Sequence, residues 1–216
     1  MITNAANNKI CDGELVFRVH GFLSKRLLMK PLEWQISRGG FRTRSWGYLS
    51  FYGSLEQHAD RLRPILENLC RENDRVHLVA HSMGSIVLRL AMQAAPLPNL
   101  GRMVLLAPPN QGTPMAKLIN PFLFWICKGV SELSSDPNSL VNQMEPPTAL
   151  DFGIVAGRYD WIVPKSRTPL TGQSDHICLA ATHNTMLVQP SVARQVVEFL
   201  RRGRFCKNDN DKSASD

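Results

Sequence analysis

Short apolar runs of strand length alternate along this chain with longer segments of helical spacing, and that alternation most limits the folds open to it. Leu15 to Val19 (LVFRV), Ser45 to Tyr52 (SWGYLSFY), Arg75 to Ala80 (RVHLVA), Arg102 to Ala107 (RMVLLA), Phe152 to Ala156 (FGIVA) and Ile177 to Ala181 (ICLAA) read as strands. Helical spacing runs from Ser24 to about Arg38, with Gly39-Gly40 as a stop signal. A second helix follows the cap Ser54, with Gln57 three residues on and Leu55, Leu62, Ile65, Leu66 and Leu69 on one stripe. Pro64 stands inside that stripe and predicts a kink or a split into two pieces. Ile86 to Ala95 and Val192 to Arg202 are the other helical segments. Near-continuous apolar strands belong to parallel sheets covered on both faces. The pattern therefore predicts an α/β domain with a mostly parallel six-stranded sheet flanked by helices. In such sheets the reacting groups lie in loops at the carboxyl ends of the strands.

One stretch, residues 113–148, breaks the alternation. It carries the apolar block PFLFWICKGV and reads as a short cap inserted between two strands. The rest fits a single domain over residues 1–207, and residues 208–216 are expected to form a disordered tail. With 216 residues, a chain buries roughly 70% of its unfolded surface and folds without a metal or disulfide staple. No apolar run approaches the ~18 residues of a spanning helix, and the polar start MITNAANNKICDGE lacks the apolar stretch of a signal peptide. Five cysteines, an odd number without a CxxC pair, point to reduced thiols rather than disulfides or zinc. Together these features predict a cytoplasmic location. Lys and Arg exceed Asp and Glu by 25 to 18, but the excess is spread thinly. Its densest cluster, Arg201, Arg202, Arg204 and Lys207, reads as a solvated helix end and tail, and no nucleic-acid partner is expected.

The sharpest local signal is Val79-Ala80-His81-Ser82-Met83-Gly84, set between a buried strand and a helix. A serine on such a turn is pushed out of the sheet with its hydroxyl presented above it. The turn crowds the positions two before and two after, and Ala80 and Gly84 are both small. An attacking serine needs a base, and the base an orienting carboxylate. Of the six histidines, His81 adjoins the serine and its ring should point away from the hydroxyl. His77 reads as a core residue, and His58 is expected on a helix far from the strand ends. His20 ends the first strand, and His176 precedes the last one, on the wrong side. His183 follows the last strand, in the loop THNTML, and is the expected base. The acid is expected after the preceding strand, where Asp160 stands in Arg158-Tyr159-Asp160-Trp161; Asp175, Asp151 and Asp136 follow no strand end. A developing oxyanion needs two donors, and the natural pair is the backbone N–H of Met83 and that of Phe22, with Gly21 allowing close approach.

With these residues the chain resembles the α/β-hydrolases, in particular bacterial lipase-like and esterase-like members. The resemblance rests on VHGF at 19–22, VAHSMGSIVLR at 79–89, LLAPPNQGTP at 105–114, VAGRYDWIVP at 155–164 and His183-Asn184-Thr185-Met186-Leu187. The Leu105 to Pro114 run is similar to a loop of triacylglycerol-lipase-like and GPI-inositol-deacylase-like hydrolases. The resemblance implies Ser82 as nucleophile, Asp160 as acid, His183 as base, an oxyanion hole from Phe22 and Met83, and ester hydrolysis without a cofactor or metal. His20, Gly21, His81 and Gly84 would support these groups. Two features depart from the family pattern: Ala80 replaces the first Gly of G-x-S-x-G, and only about 14 residues precede the first strand. A minimal six-stranded sheet is therefore expected, without the two antiparallel strands that usually open the fold. Phe122, Phe124, Trp125 and Ile126 of the cap could line an acyl pocket, touch a lipid surface as a peripheral membrane contact, or simply pack the cap down. Two other functions stay open: an acyltransferase or thioesterase using the same residues, and a non-catalytic scaffold that binds a partner.

Overall fold

A computed structural model describes residues 13–22, 26–114, 128–147 and 150–206 of the chain. Among the described residues six strands form one sheet: β1 (Leu15–Val19), β2 (Arg42–Trp46), β3 (Val76–His81), β4 (Leu100–Leu106), β5 (Phe152–Gly157) and β6 (Asp175–Leu179). Their order across the sheet is β2-β1-β3-β4-β5-β6, and every neighbouring pair is parallel. Helices α1 (Lys30–Arg38), α2 (Leu55–Glu72), α3 (Met83–Gln93) and α4 (Pro190–Arg202) make the crossovers and the final cover.

Side-chain alternation along each strand divides the core in two. Leu15, Phe17, Val19, Leu78, Ala80, Met103 and Leu105 pack under α2 and α3, with Leu62, Leu66, Ile86 and Val87. Val16, Val79, Val104, Val155 and Ile177 face the other way, against Leu32 and Ile36 of α1 and Val192, Val196 and Phe199 of α4. Burial on both faces is why these strands read as near-continuous apolar runs. One polar exception is Arg18 of β1, which is fully buried. It donates to the Met29 carbonyl (3.0 Å) and pairs with Glu33 of α1 (2.8 Å). Burial alone would raise the Glu33 carboxyl, but Arg18 and Lys30 hold it below the usual range.

The sheet and its topology match the α/β expectation, while several boundaries differ. The second strand is Arg42–Trp46 rather than residues 45–52. An edge strand needs only one hydrogen-bonded neighbour, and Arg42 to Trp46 register against Leu15 to Val19; the aromatic run after Trp46 is a loop. The last strand is Asp175–Leu179 rather than 177–181, because its register against Gly153 to Gly157 is complete by Leu179. Helix α2 runs unbroken through Pro64. Its start is fixed by a full capping box, with Ser54 Oγ accepting from the Gln57 amide and the Gln57 side chain accepting from the Ser54 amide. Within the predicted cap, short helical turns lie at Lys128–Ser131 and Leu140–Gln143. Phe122, Phe124, Trp125 and Ile126, like the predicted tail, lie outside the described residues.

Candidate active site

Ser82 closes β3 and opens α3 with φ +52° and ψ −130°, a conformation that costs a non-glycine residue energy and persists only where the surroundings enforce it. Three contacts enforce it here. The Ser82 amide donates to the Leu106 carbonyl of β4 (2.9 Å), and the Ser82 carbonyl accepts from Ser85 to begin the helix (2.9 Å). Gly84 lies so tight on the end of β1 that a Cβ there would stand 2.4 Å from the His20 carbonyl oxygen. At Gly84 the turn thus has the small-residue demand read from the sequence, and its serine is 8% exposed.

The loops after β5 and β6 bring two further side chains to this turn. His183 Nδ1 donates to Asp160 Oδ2 at 2.7 Å, since a carboxylate can only accept. The other ring nitrogen, Nε2, is then free to accept the Ser82 hydroxyl at 2.9 Å. Asp160 is held in turn: its Oδ1 accepts from the Ile162 and Val163 amides, each at 2.9 Å, and its side chain is fully buried. A hydrogen bond from the Thr113 hydroxyl to the Ile162 carbonyl ties this loop to the one after β4. Asn110 ties it again, accepting from the buried Arg89 of α3 and donating to the Thr168 carbonyl. Such a line can take a proton from a hydroxyl and stabilise the imidazolium that results.

The rival residues are occupied elsewhere. His176 lies within β6 and bonds Thr168 through Nε2 (2.9 Å), and Asp175 accepts from the Phe205 and His176 amides. His77 is a core residue whose Nε2 bonds Glu14 and whose Nδ1 accepts the Arg102 amide. The His81 ring turns to the base's own backbone, with Nε2 donating to the His183 carbonyl (2.9 Å) and its centroid 4.7 Å from the His183 ring. Complete burial, with His183 beside it, holds the His81 imidazole down at about 3. It therefore stays neutral while it supports the loop.

The loop after β1 approaches from the other side. A Cβ on Gly21 would lie 2.9 Å from Ser82 Cβ, so residue 21 passes directly against the serine. Met83 is the first residue of α3, and its amide is among those a helix leaves without an internal partner. Phe22 follows Gly21, with its ring stacked on Phe51. Beneath them His20 is buried, and desolvation holds its imidazole below the ordinary value. Its ring stacks on Tyr48 at 4.5 Å, and Tyr48 meets His58 edge-on at 4.8 Å. His58 is therefore close behind this site and not remote from the strand ends, because the first turn of α2 folds back under the loop after β2. Both His58 nitrogens are buried without hydrogen bonds, and burial, then Arg61 and His20, lower its pKa. Tyr48 and His58 gave no signal in the sequence: a tyrosine in an aromatic run resembles a strand residue, and nothing local marks a buried helix histidine.

No protein-family model matches the chain, and no curated protein matches it in sequence. Solved structures do share its fold. A Bacillus licheniformis lipase in its propeptide form superposes with a TM-score of 0.69 at 14% identity, over 91% of this chain and 51% of that one. The chain thus spans about half the length of that form. The mature form gives 0.64 at 13%, over 87% of this chain and 91% of that one. An esterase from Exiguobacterium antarcticum gives 0.65 at 13%, over 88% and 92%. The chain has the α/β-hydrolase fold, in the minimal six-stranded form expected from its resemblance to lipases and esterases.

Proposed function

We propose that the chain is a serine hydrolase of carboxylic esters. The observation that carries this reading is the hydrogen-bonded line Ser82–His183–Asp160 meeting a strained strand-to-helix turn. Ser82 Oγ attacks the ester carbonyl carbon as its proton passes to His183 Nε2, and Asp160 steadies the imidazolium through Nδ1–H. The amides of Met83 and Phe22 receive the oxyanion of the tetrahedral intermediate. Collapse releases the alcohol, protonated by His183, and leaves an acyl-Ser82 ester. Water then gives a proton to His183 and attacks the acyl carbon, and as the acid leaves, His183 returns that proton to Ser82 Oγ.

The surroundings favour an ester with an apolar acyl part. Among the described residues eight large apolar or aromatic side chains are exposed, and seven stand in the connections that follow strands. Leu27 and Leu28 follow β1, Leu49 and Tyr52 follow β2, Tyr159 and Trp161 follow β5, and Val188 follows β6. They flank Ser82 on both sides, across five strand spacings or about 24 Å. The 158–167 loop also carries Arg158, Lys165 and Arg167, while its one carboxylate, Asp160, is buried. Such an edge suits a lipid ester met at an anionic surface, so a peripheral membrane contact forms part of this proposal. The test is turnover of p-nitrophenyl butyrate by wild type and by Ser82→Ala. Loss of activity in a folded variant supports the assignment; turnover retained by Ser82→Ala, or absent from wild type, overturns it.

A further inference from the structure

A backbone amide can stabilise an oxyanion only if its peptide plane is held before the charge develops. The Phe22 amide belongs to the Gly21–Phe22 peptide, and a trans peptide points its N–H opposite to its carbonyl. Whatever fixes the Gly21 carbonyl therefore aims the Phe22 N–H. That fixing group is His20, whose Nδ1 lies 2.9 Å from the Gly21 oxygen. Because a carbonyl oxygen only accepts, Nδ1 carries the proton. The neutral ring then presents an accepting Nε2, and this nitrogen receives the Tyr48 amide at 3.4 Å.

Tyr48 also holds His20 in two more ways. Its hydroxyl donates to the His20 carbonyl at 2.9 Å, and its ring stacks on the imidazole at 4.5 Å and 22°. Trp46 stacks on Tyr48 as well, at 4.3 Å and 10°, and two near-parallel rings at these separations cannot share one face. Tyr48 is accordingly sandwiched, with His58 against its edge. The oxygen gripped by its hydroxyl is the one packed against Gly84, so a single contact joins the loop after β1 to the serine turn. Burial raises the Tyr48 hydroxyl well above its ordinary value and keeps it a donor.

We propose that Tyr48 is a positioning residue for ester hydrolysis, setting the Phe22 amide through the His20 ring and carbonyl. This rests on the serine-hydrolase reading above. Its test is Tyr48→Phe, which keeps the ring stack and removes the hydroxyl. Full loss of one oxyanion donor costs on the order of 10²–10³ in kcat, so a displaced donor should cost about tenfold. KM should stay within about twofold if only the transition state feels the change. The discriminating readout is the rate ratio between an ester and its thionoester, whose sulfur is poorly served by a hole shaped for oxygen. If Tyr48 sets the donor, ester turnover falls and thionoester turnover falls less. Equal losses on both substrates, a change in KM alone, or unchanged kinetics would overturn the proposal. A second measurement needs no variant: nitrogen NMR of wild type should show His20 protonated at Nδ1, and an Nε2-protonated ring would also overturn it. Absence of ester turnover in wild type removes the hydrolase reading itself, and the positioning role with it, before any variant is compared.

Discussion

At the scale of residues, the proposed hydrolysis depends on a few side chains whose replacement should be felt sharply. In the proposed mechanism Asp160 fixes the tautomer of His183, so Asp160→Asn should keep the fold and lower kcat on the order of 10⁴-fold. A loss below tenfold in steady-state turnover would put the orienting group elsewhere. Gly84→Ala should fail differently. Its methyl would meet a backbone oxygen at 2.4 Å, which no rotamer change can relieve. The expected result is lost turnover together with a lowered melting temperature, read by circular dichroism. Ser82, Asp160 and His183 were legible in the sequence because each stands just past an apolar run that ends a strand. Tyr48 and His58 were not, because their contacts join β2, α2 and the loop after β1 only in the folded chain. His183 likewise owes its placement partly to the His81 ring on its carbonyl, a bond between residues 102 apart.

Elements were legible where burial on both faces writes itself into an apolar run. The central strands β3, β4 and β5 are buried on both sides, and their apolar runs marked them within two residues. The edge strands β2 and β6 were misplaced, since polar Arg42 to Ser45 pair well enough at an edge and aromatic SWGYLSFY imitates a core strand. Helix α2 shows local signals in competition. The capping box starts it at Ser54, and Ser54→Ala should cost about 1 kcal/mol in chemical denaturation. Pro64 sits on the exposed side of the same helix, whose buried stripe of Leu62, Leu66 and Leu69 packs on the sheet and carries the chain through. Interior proline opposes helix by roughly 3 kcal/mol, partly offset by the stiffer unfolded chain, so Pro64→Ala should stabilise by about 1–2 kcal/mol. An unchanged or lower denaturation midpoint would mean that Pro64 serves the packing of α2.

For the whole molecule, the buried histidines should make stability sensitive to acid. Burial lowers the pKa of His20, His58, His77 and His81, the last to about 3. A histidine depressed in the folded state stays neutral there while the unfolded chain takes up protons. Their contribution is therefore fully present above about pH 6.5 and is lost as pH falls, by up to about 1.4 kcal/mol per pH unit for each group. Denaturation midpoints measured from pH 8 to pH 4 should fall steadily below pH 6.5; a flat profile would contradict the buried, neutral state. In the proposed membrane contact the exposed rim acts as a unit. Ser82→Ala protein should co-sediment with vesicles containing phosphatidylglycerol, and adding Leu49→Ser and Trp161→Ser should weaken that binding about tenfold or more, as burial of two large side chains implies. Binding lost in salt but indifferent to these changes would assign it to charge alone. Among the described residues no helix is long and apolar enough to cross a membrane.

If Ser82 is an activated nucleophile, it should react with a fluorophosphonate, and intact mass reads that reaction. Wild type should gain a single adduct located on Ser82, and Ser82→Ala none. A folded wild type that stays unlabelled, or an adduct that persists in Ser82→Ala, would rule Ser82 out as the nucleophile.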